Sequence, residues 1–402
     1  MSDPVVIVSV ARTPLGGFLG ELSGLTGPQL GAAAIKAAVE RAGLSPEQVE
    51  EVIMGCVLPA GTGQAPARQA SLGAGLPLST GCTTVNKVCG SGMKATMLAH
   101  DLLMVGSNEI MVSGGMESMS NAPYLLPKAR SGYRLGHGQM LDHMFLDGLE
   151  DSYSKEHKGR LMGTFAEDCA SHFDFTRAAQ DEFAATSTTR AQAAIKDGAF
   201  TWEVTPVTVP GRRGDVVVDK DEQPPKALLD KISTLKPAFK KDGTVTAANS
   251  SSISDGAAAL VLMRKSTADK LGLNPVATII GHATHAQDPA WFTTAPIAAM
   301  QKLLAKTGWG VDDVDLWEIN EAFAVVTMAA MKEMKLPHDK VNINGGACAL
   351  GHPIGASGAR ILVTLIGALR RQGLKRGVAS LCIGGGEATA MAIEVNASVS
   401  CG

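Results

Sequence analysis

The sequence has few aromatic residues and lacks any long apolar run. Phe, Trp and Tyr together make up only 4% of its 402 residues. No apolar segment reaches the roughly 20 residues that a membrane-spanning helix needs, so we expect no membrane span and no membrane partner. The first residues, MSDPVVIVSVARTP, lack a charged segment followed by an apolar one, so we expect no secretory signal. The formal net charge of −3 argues against a nucleic-acid partner.

The cysteines also lack any pattern typical of disulfides or metal sites. There are seven of them, an odd number, with irregular spacing, no CxxC pair and no Cys/His cluster at metal-ligand distances. This arrangement predicts free thiols and no metal site. Free thiols are typical of a reducing compartment, so we expect the protein in the cytoplasm.

The chain does have enough apolar residues for a large globular fold. It is 45% hydrophobic and 19% charged, with 45 glycines. Its length is too great for one simple core, which predicts two or more domains. Apolar β-branched segments such as VVIVSVAR alternate with helical ones such as PQLGAAAIKAAVERAG. This alternation predicts an α/β fold whose mainly parallel sheet is covered by helices on both faces.

Two parts of the sequence resemble each other. Residues 357–360, SGAR, echo residues 91–94, SGMK, and each segment opens an apolar helical stretch. Further on, GGGE at 384–387 echoes GGME at 114–117, each after an apolar strand. An internal duplication explains the pattern, although any two strand–helix–strand units resemble each other to some degree. Between the copies lies a stretch rich in charge and proline, which indicates an insertion folded over the duplicated core.

Cys89 is the first candidate for chemistry, in the segment NKVCGSGMKAT. Packing alone would explain a small apolar side chain at this position. A helix N-terminus, however, favours a thiolate, which predicts a lowered pKa for Cys89. The glycines on either side of Ser91 would let a substrate approach closely. The segment therefore predicts either a buried filler or a nucleophile.

Four further residues could complete a reactive site with Cys89. His352 lies in the turn GHPIGASG, which the duplication places opposite Cys89, and histidine is the usual base partner of a cysteine. Cys382 ends an apolar strand, where packing also explains it, and Gly384 offers an unobstructed backbone N–H. Asn320, in WEINEAFA, could cap a helix or orient the histidine.

Five ordered motifs resemble the thiolase family: NKVCGSGMKA, GGMESMS, INEAFA, GGACALGHPIGASGAR and CIGGGEATAM. The chain resembles most closely the acetyl-CoA acetyltransferase (acetoacetyl-CoA thiolase) branch, mainly through QAPARQA, CTTVNKVCGSGMKA and GGMESMSNAPYLL. The resemblance implies an α/β thiolase fold, with two duplicated five-layered halves, mixed sheets and an inserted loop domain. It implies an N-terminal half over 1–121 that is rejoined by about 244–271, a loop domain over 122–243, and a C-terminal half over 272–402.

The resemblance also implies a reversible, ping-pong condensation of two acetyl-CoA to acetoacetyl-CoA and coenzyme A. Cys89 would carry the acyl group, His352 would activate it, and Cys382 would act as the acid and base at the α-carbon. Asn320, through a water, and His352 would form one oxyanion hole, and the N–H groups of Cys89 and Gly384 the other. No cofactor or metal is expected, because coenzyme A serves as substrate and product.

Coenzyme A contacts are implied at positions matching the family's pantetheine tunnel. They comprise apolar side chains, one serine and two departures from the family pattern: Met162, Phe239, Ala322, Phe323, Ser251, Leu161 and Lys231. Leu161 replaces a histidine of close relatives, and Lys231 replaces a serine and could meet a phosphate of coenzyme A. Bulky Trp291 and Phe292 stand where many relatives have smaller residues.

Other functions remain open from the sequence. Within the fold, the main alternative is a degradative 3-ketoacyl-CoA thiolase of broader chain length, and a decarboxylating ketosynthase is a third option. A catalytically silent acyl-CoA binder or assembly subunit would have no need of two thiols and a histidine in register. The resemblance also implies a homotetramer or homodimer.

Overall fold

The computed structural model describes residues 3–395, which form one large mixed sheet flanked by helices. The strands are, in chain order, β1 Val5–Arg12, β2 Gly16–Gly17, β3 Glu51–Gly55, β4 Gly81–Val85, β5 Ile110–Ser118, β6 Tyr124–Leu125, β7 Leu141–Asp142, β8 Val207–Val209, β9 Val216–Val218, β10 Ser254–Arg264, β11 Ala277–Ala286, β12 Leu316–Ile319, β13 Arg376–Ile383 and β14 Glu387–Val395. The α-helices are α1 Gly27–Arg41, α2 Pro66–Gly73, α3 Ser91–Met104, α4 Met162–His172, α5 Arg177–Lys196, α6 Gln223–Lys226, α7 Lys265–Lys270, α8 Ala295–Thr307, α9 Ala324–Met334, α10 Ala347–Leu350 and α11 Ser357–Gln372.

The large sheet has the strand order β12-β13-β14-β11-β1-β10-β5-β3-β4, with β2 paired to β10. The pairs β3–β4, β3–β5 and β12–β13 are parallel, and the others in this sheet are antiparallel. The prediction of a mainly parallel sheet is therefore wrong. A turn of only three residues, 384–386, joins β13 to β14, and so short a connection permits only antiparallel pairing.

Equivalent strands of the two similar segments occupy equivalent places in the sheet. β5, which ends in the GGME motif, lies beside the long strand β10, and β13, which precedes GGGE, lies beside β14. The sheet then continues from each half to the other through the pairing of β1 with β11. The duplication read from the sequence thus corresponds to a repeated arrangement of strands.

Helices α3 and α11 pack against each other at the centre of the molecule. A Cβ added to Gly92 would lie 2.8 Å from the backbone N of Ala359, and one added to Gly358 would lie 2.4 Å from the backbone N of Met93. Residues 357–369 of α11 are all buried. Burial on all sides explains the largely apolar run ILVTLIGAL, which follows the buried Arg360 in the same helix.

The segment between β5 and β10 leaves the sheet and forms two short hairpins and several helices. Its hairpins are β6–β7 and β8–β9, and its α5 packs against α9 and α10 of the second half. The chain then returns to the first half, because β10 inserts between β1 and β5. The domain boundaries stay a prediction, and residues 396–402 lie outside the described part of the chain. Within that part, no helix is both long and apolar enough to cross a membrane.

The contact between α3 and α11 gives a stability prediction. Gly358→Ala forces two helix backbones apart, so we expect it to lower the free energy of unfolding by about 1–3 kcal/mol. Gly27→Ala is the matched control, since a Cβ there has its nearest neighbour at 3.5 Å, an ordinary contact. Urea unfolding of both variants checks this, and equal stability of the two would contradict the close approach.

Candidate active site

Cys89 lies in a tight turn immediately before α3. The turn is fixed by side chains on both sides, because Asn86 accepts a hydrogen bond from the N–H of Val88 and Ser91 accepts one from the N–H of Lys87. Val88 has a φ of 47°, a conformation that non-glycine residues rarely adopt. The strained turn directs the partly buried Cys89 side chain into the apolar cavity described below.

The pKa of the Cys89 thiol differs from the value that the sequence predicts. Burial raises its pKa to about 11, and the N–H groups of Gly384 and of Cys89 itself offset that effect only in part. The prediction of a lowered pKa was wrong because it considered the helix N-terminus and neglected desolvation, which is the larger effect here. The resting side chain is therefore a thiol that needs a base before it can attack.

His352 is a buried imidazole placed to supply that base. Its Nδ1 lies 2.5 Å from the hydroxyl oxygen of Ser357, whose hydroxyl lies 3.0 Å from the carbonyl oxygen of Pro353. If Ser357 donates to Pro353, it accepts from Nδ1–H, which leaves Nε2 with a free lone pair. Nε2 is buried and has no hydrogen-bond partner among residues 3–395. Burial, and next the charge of Arg360, lower the pKa of His352 to about 3, so the ring is neutral.

Asn320 and Cys382 lie behind the same cavity. The Nδ2 of Asn320 is 3.5 Å from Nδ1 of His352, and its buried Oδ1 has no partner within the described chain. Cys382 is fully buried at the end of β13, and burial, followed by the charge of Cys89, raises its pKa well above the ordinary value. Neither the Asn320 nor the Cys382 side chain lines the cavity. Each lies beside a residue that does line it.

The glycine turn after β13 presents backbone to the site. Gly385 and Gly386 have φ values of 95° and 82°, which favour glycine, and they follow Gly384 directly. A Cβ on Gly384 would lie 3.6 Å from the sulfur of Met162. The N–H of Gly384 donates a hydrogen bond to the Cys89 sulfur. A donor in this position suits an oxyanion hole.

One cavity of about 450 Å³ brings most of the predicted residues together. Its wall includes Cys89, His352 and Gly384 with predicted coenzyme A contacts: Leu161, Met162, Phe239, Ser251, Ala322 and Phe323. Lys231 is not among them, because it lines a separate pocket of about 320 Å³ that shares Ala247 with the cavity. Phe292 lines the cavity, whereas Trp291 faces a third pocket on the surface.

Sequence reasoning missed several residues that shape the site. In the sequence Ser357 stands out only as part of the SGAR repeat, yet its hydroxyl contacts the imidazole of His352. The apolar residues Phe145, Leu149 and Ile354 also line the cavity. Phe145 and Leu149 lie outside the motifs, and Ile354 lies in GHPIGASG, where only the histidine had a predicted role. Glu117, in GGMESMS, accepts backbone N–H bonds from residues 57, 58 and 355. Its sequence signals were the repeat of GGME and GGGE and the motif GGMESMS, neither of which predicted a role for its carboxylate.

Comparisons with known proteins cover almost the entire chain. The model of the thiolase N-terminal domain matches residues 5–266, and that of the thiolase C-terminal domain matches residues 273–395. An acetyl-CoA acetyltransferase of Cupriavidus necator is 52% identical over 98% of this chain and 100% of its own. Acetyl-CoA acetyltransferase 2 of Arabidopsis thaliana is 53% identical over 97% of both chains. A crystal structure of an Ascaris suum thiolase with coenzyme A superposes with a TM-score of 0.92 at 43% identity, covering 98% of this chain and 100% of that one.

The burial and contacts of His352 predict its protonation state. We expect NMR of ¹⁵N-histidine-labelled protein to find the ring neutral from pH 5.5 to 8, with the proton on Nδ1, because burial holds its pKa far below 6.5. Ser357→Ala should mix the two neutral tautomers, while Ser113→Ala, which removes a buried serine bonded to Thr96, should not. A ring that titrates near pH 6.5 would contradict this prediction.

Proposed function

The chain belongs to the thiolase family, and we propose that it is an acetyl-CoA acetyltransferase, joining two acetyl-CoA reversibly to acetoacetyl-CoA and coenzyme A. The predicted resemblance and fold class are thereby confirmed. The observation that carries the proposal is the single apolar cavity in which a protonated thiol, a neutral imidazole and a glycine-turn N–H converge.

The first half-reaction acylates Cys89. As the Cys89 sulfur attacks the thioester carbonyl of acetyl-CoA, Nε2 of His352 takes the thiol proton. The N–H groups of Cys89 and Gly384 donate to the oxyanion that forms. Collapse of this intermediate breaks the bond to coenzyme A, whose thiolate takes a proton from Cys382. The enzyme then holds an acyl-Cys89, an imidazolium and a Cys382 thiolate, with no net change in charge.

The second half-reaction forms the carbon–carbon bond. The Cys382 thiolate removes an α-proton from a second acetyl-CoA, and its high pKa in the buried site makes it a strong base for this step. The imidazolium of His352 and a water held by Asn320 stabilise the enolate oxygen. The enolate attacks the acyl carbon, Cys89 leaves as a thiolate, and His352 returns its proton. All three groups regain their starting protonation states.

Coenzyme A fits the wall of the cavity. The apolar side chains of Met162, Phe239 and Phe323 suit the pantetheine chain, and the hydroxyl of Ser251 can bond one of its amides. Lys231 lines the adjoining pocket with an exposed ammonium group, and we place a phosphate of coenzyme A there. The Ascaris suum relative, solved with coenzyme A, supports this class of ligand.

Localisation and assembly are further proposals. Six cysteines of the described chain are free, which supports a reducing compartment such as the cytoplasm. Large apolar side chains of the β6–β7 hairpin and its loop are exposed, which supports a homodimer or homotetramer: Tyr124, Leu126, Leu135 and Met140. Light scattering of the purified protein measures the number of chains directly.

The division of labour between the two thiols is testable. Cys89→Ser should lose nearly all turnover, because a serine hydroxyl is a much poorer nucleophile at neutral pH. Cys382→Ala should still take one acetyl group from acetyl-CoA but condense very slowly and exchange few α-protons with deuterated solvent. Mass spectrometry after exposure to acetyl-CoA, together with rate measurements, checks both expectations.

Cys82→Ser serves as the control, since this thiol lies on β4, bonds to the carbonyl of Thr80 and lines neither the cavity nor the pocket of Lys231. Acetyl trapped on any cysteine other than Cys89, or condensation by Cys382→Ala at the wild-type rate, would overturn the assignment. A protein that takes up no acetyl group would be an acyl-CoA binder.

Leu161 tests the chain length of the substrate. It contributes an apolar side chain to the cavity, where an imidazole would offer a hydrogen bond worth about 0.5–1.5 kcal/mol. We expect the wild type to accept 3-ketoacyl-CoA substrates of five or six carbons and Leu161→His to lower the KM for acetyl-CoA about 2- to 12-fold while narrowing this range. Thiolysis rates across chain lengths measure both. Strict preference for acetoacetyl-CoA in both forms would show that bulk elsewhere, such as Phe292, closes the pocket.

A further inference from the structure

A second group of reactive side chains lies outside the cavity, at the opposite end of α3 from Cys89. His100 and Asp101 belong to the last turns of α3, and His282 projects from β11. We propose that these three residues form a binding site for one divalent transition-metal ion, such as Zn²⁺ or Co²⁺, which joins α3 of the first half to β11 of the second.

The three ligand atoms converge on one point. Nδ1 of His100 and Nε2 of His282 each lie 2.9 Å from the same oxygen, Oδ1 of Asp101. All three atoms lie within 4.8 Å of one another. Two imidazoles and a carboxylate are a ligand set that zinc and its neighbours prefer. In a tetrahedral site with bonds of about 2.0–2.2 Å, ligand atoms are about 3.3 Å apart, so on binding an ion both N···O distances lengthen by about 0.4 Å and the N···N distance becomes about 3.3 Å.

The charges at the cluster also suit a cation. The carboxylate of Asp101 lies at the centre of the cluster, accepts a hydrogen bond from each imidazole, and supplies negative charge to an ion. Both imidazoles donate to Asp101 through these nitrogens, so when a metal binds, each ring proton moves to the other nitrogen and leaves the lone pair that faces Asp101 free. The ammonium of Lys306 lies 3.2 Å from the carbonyl oxygen of His282 and opposes a cation. This repulsion weakens binding without blocking the site.

The surroundings leave space for the remaining ligands of the ion. The side chain of Asp101 is 55% exposed, whereas those of His100 and His282 are 16% and 13% exposed. The two rings meet edge to face, with centroids 5.1 Å apart, which holds them in place. Water can therefore complete the coordination sphere on the open side. The cysteine and histidine spacing could not reveal this site, because its ligands come from distant parts of the sequence.

Metal titration of the full-length protein tests the proposal. After treatment with a chelator, the wild type should bind one Co²⁺ per chain with a visible spectrum of nitrogen and oxygen ligands and without a thiolate charge-transfer band. His282→Asn and Asp101→Asn should each bind Co²⁺ at least about tenfold more weakly. Asp101 is largely exposed, so its variant should fold even if the other does not. Added Zn²⁺ should raise the melting temperature of the wild type but of neither variant.

His285→Asn is the matched control. It removes an imidazole from the same strand that pairs with Gln287 instead of the cluster, so it should bind Co²⁺ like the wild type. Acetyltransferase activity should be unchanged in all three variants, because the cluster is remote from the cavity. Equal Co²⁺ affinity of the wild type and both cluster variants, a charge-transfer band from a thiolate, or no binding at millimolar Co²⁺ would each overturn the proposal.

Discussion

The close packing of α3 on α11 determines where the reactive groups of the two halves meet. Cys89 stands just before α3, and His352 stands five residues before the start of α11. Because Gly92 and Gly358 let the helix backbones touch, the turns before the two helices open into the same cavity. A side chain at either glycine would separate the nucleophile from its base.

Two carboxylates at equivalent positions of the duplication reinforce this arrangement, each reaching into the other half. Glu117 accepts the N–H of Gly355, in the turn that carries His352, and Glu387 pairs with Lys87, in the turn that carries Cys89. Their environments differ, however. Glu117 is buried, and burial raises its pKa to about 7 against the effect of three backbone N–H donors. Glu387 is half-buried, so its ion pair is screened by solvent.

The sequence was sufficient for the parts of the fold and site that depend on local patterns. The strand–glycine–helix repeats located Cys89, His352 and Gly384, which the structure brings to one cavity. The sequence was insufficient for features that depend on contacts between distant segments of the chain. The strand direction depends on β10 returning from the insertion, and the pKa of Cys89 depends on how deeply the folded chain desolvates it. Likewise, His100 and His282 become neighbours only after the two halves assemble.

The different lengths of chain between paired strands affect how each half can fold. In the second half, only residues 384–386 separate β13 from β14, so this pairing is local and forms early. In the first half, residues 119–253 lie between β5 and its partner β10. During synthesis the first sheet therefore has an unpaired edge on β1 and β5 until the insertion has left the ribosome. That edge leaves apolar strand unpaired while the insertion is synthesised, and unpaired apolar edges favour association with other chains.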